Sequence, residues 1–90
     1  MRIEFDGVKR ASALAERGLD FARAAEVFAG RNLTRRDDRN DYGEVRFTTA
    51  GWLDARIVIV VWTQRGAARR IISMRKANER EINRLAPHLG

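Results

Sequence analysis

Apolar residues recur along this chain at two spacings, and the change between them separates strands from helices. Arg2 to Phe5 alternates polar and apolar residues, which predicts a first strand. From Val8 the apolar positions form a helical stripe, Val8, Ala11, Leu14 and Ala15, and Gly18 ends this helix as a left-handed residue. Asp20 is the expected cap of a second helix, which ends at Gly30.

The middle of the chain has the pattern of a sheet. Leu33 to Arg36 predicts a short strand, and Asp37 to Gly43 has the composition of a turn or loop. From Val45 to Ala50 one set of alternate side chains is more apolar than the other, which predicts a half-buried strand. Ile57 to Trp62 is apolar on both faces and is therefore expected at the centre of the sheet.

The last third predicts one more strand and a C-terminal helix. In the strand from Arg69 to Met74, strict alternation puts Ile72 on the same side as Met74 and Ile71 on the other. Asn78 is the expected cap of the helix, which Pro87 ends. The inward side chains of this helix are expected to be Ile82, Leu85 and Leu89.

The resulting order, β-α-α-β-β-β-β-α, predicts an α+β fold. Because short loops join the last three strands, an antiparallel meander is the simplest sheet, with the helices packed on one face. Residues 1–90 are expected to form a single domain. The longest apolar run, Ile57 to Trp62, is far too short to span a membrane, and no signal peptide is predicted, so we expect a cytoplasmic protein without membrane contact.

Composition excludes several kinds of chemistry. The chain has no cysteine and one histidine, His88, which excludes thiolate chemistry and His-pair metal sites. The acidic cluster between Asp37 and Glu44 is interrupted by Arg39, so it does not fit a calcium loop. We expect these acids to form turns and ion pairs, and we expect no metal ion and no cofactor.

The charge distribution indicates a polyanionic partner. The net charge is +6, and after Val45 the chain has nine basic but only three acidic residues. Arginine binds phosphate with two parallel hydrogen bonds, so a sheet face bearing Arg46 and some of the later arginines could contact RNA. Two alternatives remain open: the arginines reflect coding bias, or Glu44, Glu79 and Glu81 balance them at a solvated surface.

Longer motifs give a more specific signal. They are Phe5-Asp6 with Lys9 and Gly18, the helix Phe21–Phe28, the segment Asp38–Arg46 with Thr63, and Arg70–Ala77 followed by Glu79 to Glu81. Together these segments resemble the BrnT family of type II toxins, small ribonucleases with a RelE-like fold. The likeness extends from Phe5 to about Ile82.

The resemblance implies an endoribonuclease toxin that cleaves RNA without a metal ion. In such a reaction the 2′-hydroxyl gives its proton to a base and attacks the adjacent phosphate, the bond from phosphorus to the 5′-oxygen of the next nucleotide breaks, and cations stabilise the charge that develops on the phosphate. The resemblance assigns Arg46, Arg70 and Arg75 to this electrostatic role, and Lys76 and Glu44 to proton handling or positioning. Further RNA contacts are expected from Arg39, Arg69 and Arg80.

The resemblance also implies partners. A BrnA-like antitoxin would neutralise the toxin in a hetero-oligomer, and operator DNA would be bound only through the antitoxin. The family usually has His at the position of Asn40, and asparagine does not carry protons near neutral pH. The general base is therefore unassigned. Two other functions stay open: a catalytically weak co-repressor that keeps the antitoxin interface, and a nucleic-acid-binding module without cleavage.

One geometric problem accompanies this assignment. Arg70 and Arg75 are five residues apart, so strict alternation places them on opposite faces of a strand. Either the strand ends or bulges before Arg75, or only one of the two arginines acts on RNA. We favour the first alternative, because the pattern relaxes where Lys76 leads into the last helix.

Overall fold

The computed structural model describes residues 1–90 and contains five strands and three α-helices. The elements, in chain order, are β1 (Arg2–Phe5), α1 (Gly7–Arg17), a 3₁₀ turn (Phe21–Arg23), α2 (Ala24–Ala29), β2 (Asn32–Asp37), β3 (Arg46–Leu53), β4 (Arg56–Arg65), β5 (Ala68–Lys76) and α3 (Glu79–Leu89). This order confirms the predicted α+β class. None of the helices combines the length and the apolar character that a membrane crossing requires.

The sheet is mixed, so the prediction of a purely antiparallel sheet is wrong. Its strand order is β1-β5-β4-β3-β2, in which β2 to β5 form an antiparallel meander and β1 lies parallel to β5. The chain passes through α1 and α2 before it enters β2 at the far edge of the sheet. Because β1 and β5 are joined by no local turn, no short-range sequence signal encodes their pairing.

Helices cover both faces of the sheet, which corrects the prediction that they all pack on one face. The main core contains Phe21 and Val27 from the first helical segments, packed with Val58, Val60 and Trp62 of β4. On the other face, α3 buries Leu89 in a cluster with three sheet residues, Ala50, Ile57 and Ile59. A strand that is apolar on both sides needs cover on both sides, and α3 provides the second cover.

Helix α1 begins and ends as predicted but presents a different face to the core. The Asp6 carboxylate accepts hydrogen bonds from the backbone N–H groups of Val8 and Lys9, and Gly18 adopts a left-handed φ of 68°. The apolar stripe points to solvent, since Val8 is 77% exposed and Ala13 is the buried residue of the helix.

Helix α3 continues through Pro87 to Leu89, so the prediction that Pro87 ends it is wrong. Proline removes one backbone N–H, and in the final turn this loss affects only one hydrogen bond. The helix end is fixed instead by the burial of Leu89, whose carbonyl accepts a hydrogen bond of 3.2 Å from Trp52 Nε1. Ile82, predicted to face inward, is exposed.

Strand β5 contains a bulge that changes which side chains share a face. Val61 pairs with Ser73, whereas the next residue, Trp62, pairs with Ile71, so Ile72 is left without a partner. Ile71 and Met74 therefore both enter the main core. The predicted grouping of Ile72 with Met74 is wrong, because one extra residue reverses the alternation beyond it.

Candidate functional site

A groove of about 790 Å³ lies on the sheet face that carries α3. Its floor is formed by side chains of three central strands, namely Thr48, Ala50, Ile59, Val61 and Ser73. Helix α3 forms one wall with Glu81, Arg84 and Leu85. The opposite wall runs from Leu33 along β2 to Arg39 in the following loop. We call this concavity the groove.

The bulge in β5 determines which arginines face the groove side of the sheet. Arg70 pairs with Thr63 before the bulge, and Arg75 pairs with Ile59 after it. Thr63 and Ile59 are four residues apart on regular β4 and therefore lie on the same face. The bulge thus places Arg70 and Arg75 on one face, as the favoured alternative required.

The groove lining is rich in opposite charges but carries an excess of cations. Five arginines line it, Arg35, Arg36, Arg39, Arg75 and Arg84, together with three acids, Asp37, Asp38 and Glu81. Each acid forms an ion pair with one arginine: Asp37 with Arg39, Asp38 with Arg36, and Glu81 with Arg75. The two remaining arginines, Arg35 and Arg84, form no ion pair.

Arg75 is held in a fixed orientation by Glu81. Its two terminal nitrogens donate hydrogen bonds of 2.7 and 2.8 Å to the two oxygens of Glu81. Glu81 is itself anchored, because it accepts a 3.0 Å hydrogen bond from Asn78 N in the capping box at the start of α3. The Arg75 side chain is 45% exposed, so the guanidinium donors that Glu81 leaves free remain accessible.

These contacts make Glu81 a stable counterion. The hydrogen bonds from Arg75 lower the pKa of Glu81 to about 2, with a smaller contribution from the backbone N–H of Asn78. Glu81 is therefore ionised at neutral pH, and its side chain is only 14% exposed. Glu81 thus closes the capping box with Asn78, and the same carboxylate also orients Arg75.

A second pair lies where the loop after β2 meets the groove. Asp37, whose side chain is 3% exposed, accepts hydrogen bonds of 2.8 and 2.9 Å from Arg39. These bonds lower the pKa of Asp37 to about 2. The hydrogen bond to Glu81 raises the pKa of Arg75, and the positive charge of Arg39 acts on this pKa in the opposite direction. Two of the predicted arginines, Arg39 and Arg75, are therefore close enough in the groove for the charge of one to affect the pKa of the other.

Arg46 and Arg70 lie on the same sheet face but outside the groove lining. They belong to a row that crosses all five strands in register: Glu4, Arg70, Thr63, Arg46 and Asp37. Arg70 is 3.3 Å from a carboxylate oxygen of Glu4, and Arg46 is 3.3 Å from one of Glu44. The Arg46 guanidinium also stacks 4.0 Å from the ring centre of Tyr42.

The other predicted residues lie away from the groove. Arg69 packs on the opposite face, with its guanidinium 4.5 Å from the Phe28 ring centre and 4.4 Å from that of Trp62. Lys76 pairs with Val58, a residue of the main core, and so also belongs to that face. Arg80 is exposed on α3 and does not line the groove.

Glu44, the remaining predicted residue, is a counterion shared by two arginines, Arg46 and Arg65. It lines a small neighbouring pocket together with Asn40. Asn40 donates a 3.3 Å hydrogen bond to the hydroxyl of Tyr42, which lies beside Asp37. The sequence alternative in which acids balance the arginines holds for Glu44 and Glu81, whereas Glu79 forms no ion pair.

Sequence reasoning did not assign three of the groove arginines, Arg35, Arg36 and Arg84, to the site, and it also missed the floor residues Thr48 and Ser73. Arg84 lies three positions after Glu81, a spacing that places both on one side of a helix, and this signal was available from the sequence. The placement of Arg35 and Ser73 depends on strand pairing and on the bulge, which the sequence did not reveal.

The fold and the groove together define a small α+β protein with a basic, partly apolar concavity suited to an anionic polymer. The family model described as "Ribonuclease toxin, BrnT, of type II toxin-antitoxin system" matches residues 5–81. The chain therefore belongs to the BrnT family, a family of ribonuclease toxins of type II toxin–antitoxin systems. A comparison with curated proteins found no match.

Proposed function

We propose that this protein is an endoribonuclease toxin with a RelE-like fold that binds and cleaves RNA in the groove without a metal ion. The observation that carries the proposal is Arg75, which Glu81 orients at 2.7 and 2.8 Å while nearly half of its side chain stays exposed. A guanidinium fixed in this way is preorganised to stabilise charge on a phosphate, without reorganising during the reaction.

The chemistry of the groove favours positioning and electrostatic stabilisation over proton transfer. With pKa values of about 2, Asp37 and Glu81 are weak bases at neutral pH. His88, the only histidine, lies in the last turn of α3 and does not line the groove. Alignment of the 2′-hydroxyl with the phosphate, and stabilisation of the phosphorane by Arg75 and Arg39, would then supply most of the rate enhancement.

The roles proposed for the other predicted residues follow from their positions. Arg46 and Arg70 would contact RNA that extends beyond the groove, because they lie one row further along the same face. Glu44 would position Arg46, to which it is bonded. Arg69 and Lys76 lie on the opposite face, so we do not include them in the RNA site.

The family implies an antitoxin partner, and we propose that it is BrnA-like and binds this protein in a hetero-oligomer. Operator DNA would then be contacted through the antitoxin. A second candidate function, a weakly active co-repressor, is favoured by Asn40. This residue stands where the family usually has His, and in the structure it only bonds Tyr42.

The proposal is tested by comparing the wild type with Arg75→Ala in RNA cleavage, with and without EDTA. We expect cleavage by the wild type to persist in EDTA, and Arg75→Ala to lower the rate by about 10² to 10³. Arg56→Ala is the matched control, because Arg56 is an exposed arginine outside the groove and without an ion pair.

The possible results separate the candidate functions. Cleavage that EDTA abolishes would refute the metal-independent mechanism, and Arg75→Ala activity equal to that of Arg56→Ala would refute the site. A wild type that binds RNA but cleaves none, and does not arrest growth when expressed without its antitoxin, would favour the co-repressor. Replacing Asn40 by His should then restore cleavage if the missing histidine is the cause.

A further inference from the structure

Arg35 and Arg84 are the two groove arginines without a carboxylate partner. The other three, Arg36, Arg39 and Arg75, each form an ion pair with a side-chain distance of 2.7 or 2.8 Å. The net positive charge of the groove therefore resides at two points, one on β2 and one on α3. An anion bound at either point would gain attraction without displacing a protein carboxylate.

The floor between these points offers further hydrogen-bonding groups. One row of the sheet crosses the groove in the order Arg35, Thr48, Val61 and Ser73. With neighbouring strands about 4.8 Å apart, this row is roughly 14 Å long. The hydroxyls of Thr48 and Ser73 form no hydrogen bond to another side chain, and Ser73 is two residues from Arg75 on β5. A polymer backbone along this row would meet donors at both ends and between them.

The groove also has an apolar strip beside these donors. Leu33 and Leu85 supply its accessible surface, since Leu33 is exposed and Leu85 is half-buried, whereas Ala50 and Ile59 are buried in the floor. Phosphates alone do not require such a surface, but the flat faces of unstacked bases do. A duplex stacks its base faces internally and presents phosphates and groove edges instead. The combination of an apolar strip with two unpaired arginines therefore fits a single strand better than a duplex.

We infer that the groove is a path for single-stranded RNA, in which Arg35 on β2 and Arg84 on α3 bind backbone phosphates other than the one that Arg75 contacts. This inference rests on the proposed function and specifies its substrate class. Bases of the strand would lie against the apolar strip, and Thr48 and Ser73 would bond the sugar–phosphate backbone. Arg35 and Arg84 contribute to binding, whereas Arg75 acts on the phosphate that reacts.

The test is equilibrium binding, measured by fluorescence anisotropy with an RNA oligonucleotide whose 2′-O-methyl groups prevent cleavage. We expect the single strand to bind at least about ten-fold more tightly than the same strand annealed to its complement. Arg35→Ala and Arg84→Ala should each weaken single-strand binding about five- to ten-fold. Each should also make the slope of log K against log salt shallower by about 0.7.

Two controls accompany these variants. Arg56→Ala removes the same charge outside the groove, so it should leave affinity within about two-fold and the salt slope nearly unchanged. Leu33→Ser should weaken single-strand binding without changing the salt slope, because it alters the apolar strip and no charge. Thermal unfolding of each variant checks that exposed Arg35 and Arg84 can be replaced without loss of the fold.

Failure of this inference can be distinguished from failure of the proposed function. The inference of a single-strand path would be overturned if the protein binds single strand and duplex with equal affinity. It would also be overturned if Arg35→Ala and Arg84→Ala bind RNA as tightly as Arg56→Ala does. Neither result would contradict ribonuclease activity. Absence of cleavage by the wild type would overturn the proposed function, while the binding measurements with the uncleavable probe would still decide the path.

Discussion

Replacing Glu81 by Gln tests how strongly the groove depends on its best-defined ion pair. Glutamine retains a carbonyl oxygen that can accept the Asn78 N–H, so the helix cap is kept while the charge opposite Arg75 is lost. Arg75 then has no charged partner to fix its orientation. The variant should therefore lose both stability and the alignment of Arg75 in the groove.

The magnitude follows from the lowered pKa of Glu81. Lowering from 4.5 to about 2 corresponds to at most ~3 kcal/mol of stability. Because 45% of the Arg75 side chain is exposed, solvent screens the pair, and we expect a net effect of about 1 kcal/mol at neutral pH. The folded-state pKa is depressed, so this stability is fully present above pH 4.5 and is lost as pH falls towards about 2.

The assay is urea unfolding of the wild type, Glu81→Gln and Glu79→Gln at neutral pH and at several pH values below 4.5. Glu79 lies in the same first turn of α3 but forms no ion pair, so Glu79→Gln controls for the helix dipole. The difference in free energy of unfolding between the wild type and Glu81→Gln should become smaller as the pH is lowered. The reasoning would be refuted if this difference is absent at neutral pH or does not change with pH. It would also be refuted if Glu79→Gln lowers the free energy of unfolding as much as Glu81→Gln does.

Two further predictions concern the scaffold that carries the groove. Gly51→Ala should destabilise the protein by about 1 to 3 kcal/mol in urea unfolding, because an added Cβ would lie 2.8 Å from Val27 Cγ1. An unchanged urea midpoint would contradict this packing. Ala55→Gly should raise the melting temperature, with a gain of about 1 kcal/mol, because Ala55 has a left-handed φ of 63° in the hairpin turn between β3 and β4; a lower melting temperature would contradict this.

The sequence predicted the elements well where the signal is local. The predicted cap at Asn78 is confirmed by a side-chain hydrogen bond to the backbone N–H of Glu81, and Gly18 has the left-handed geometry expected of it. For Asp6 the structure adds the cap, since only the helix start was evident from the pattern. The apolar run of β4 also placed that strand correctly at the centre of the sheet. These features depend on neighbouring residues, which a pattern can show.

Features that depend on distant residues could not be predicted in this way. The parallel pairing of β1 with β5 joins segments more than 60 residues apart in the sequence. The bulge at Ile72 is defined by the pairing of Val61 with Ser73 and of Trp62 with Ile71, which no local pattern shows. The position of α3 on the second face follows from the same long-range packing. The bulge had the largest consequence, because it decides that Arg70 and Arg75 share a face.

The candidate site shows the same division between local and distant contributions. Three ion pairs join residues only two positions apart, so their charges are balanced within one segment. They are Arg36 with Asp38, Arg39 with Asp37, and Arg46 with Glu44. Counting arginines along the sequence therefore overstates how many are free to bind an anion.

The two groove arginines that form no ion pair come from distant parts of the chain, Arg35 on β2 and Arg84 on α3. They line one groove only because α3 packs over the second face of the sheet, near the edge strand β2. The Glu81 carboxylate fixes the orientation of the Arg75 guanidinium. The two unpaired arginines supply the net attraction of the groove for an anion. A phosphate backbone can consequently enter the groove without breaking the ion pairs that hold the groove in shape, since its attraction to the two unpaired arginines needs no carboxylate to leave.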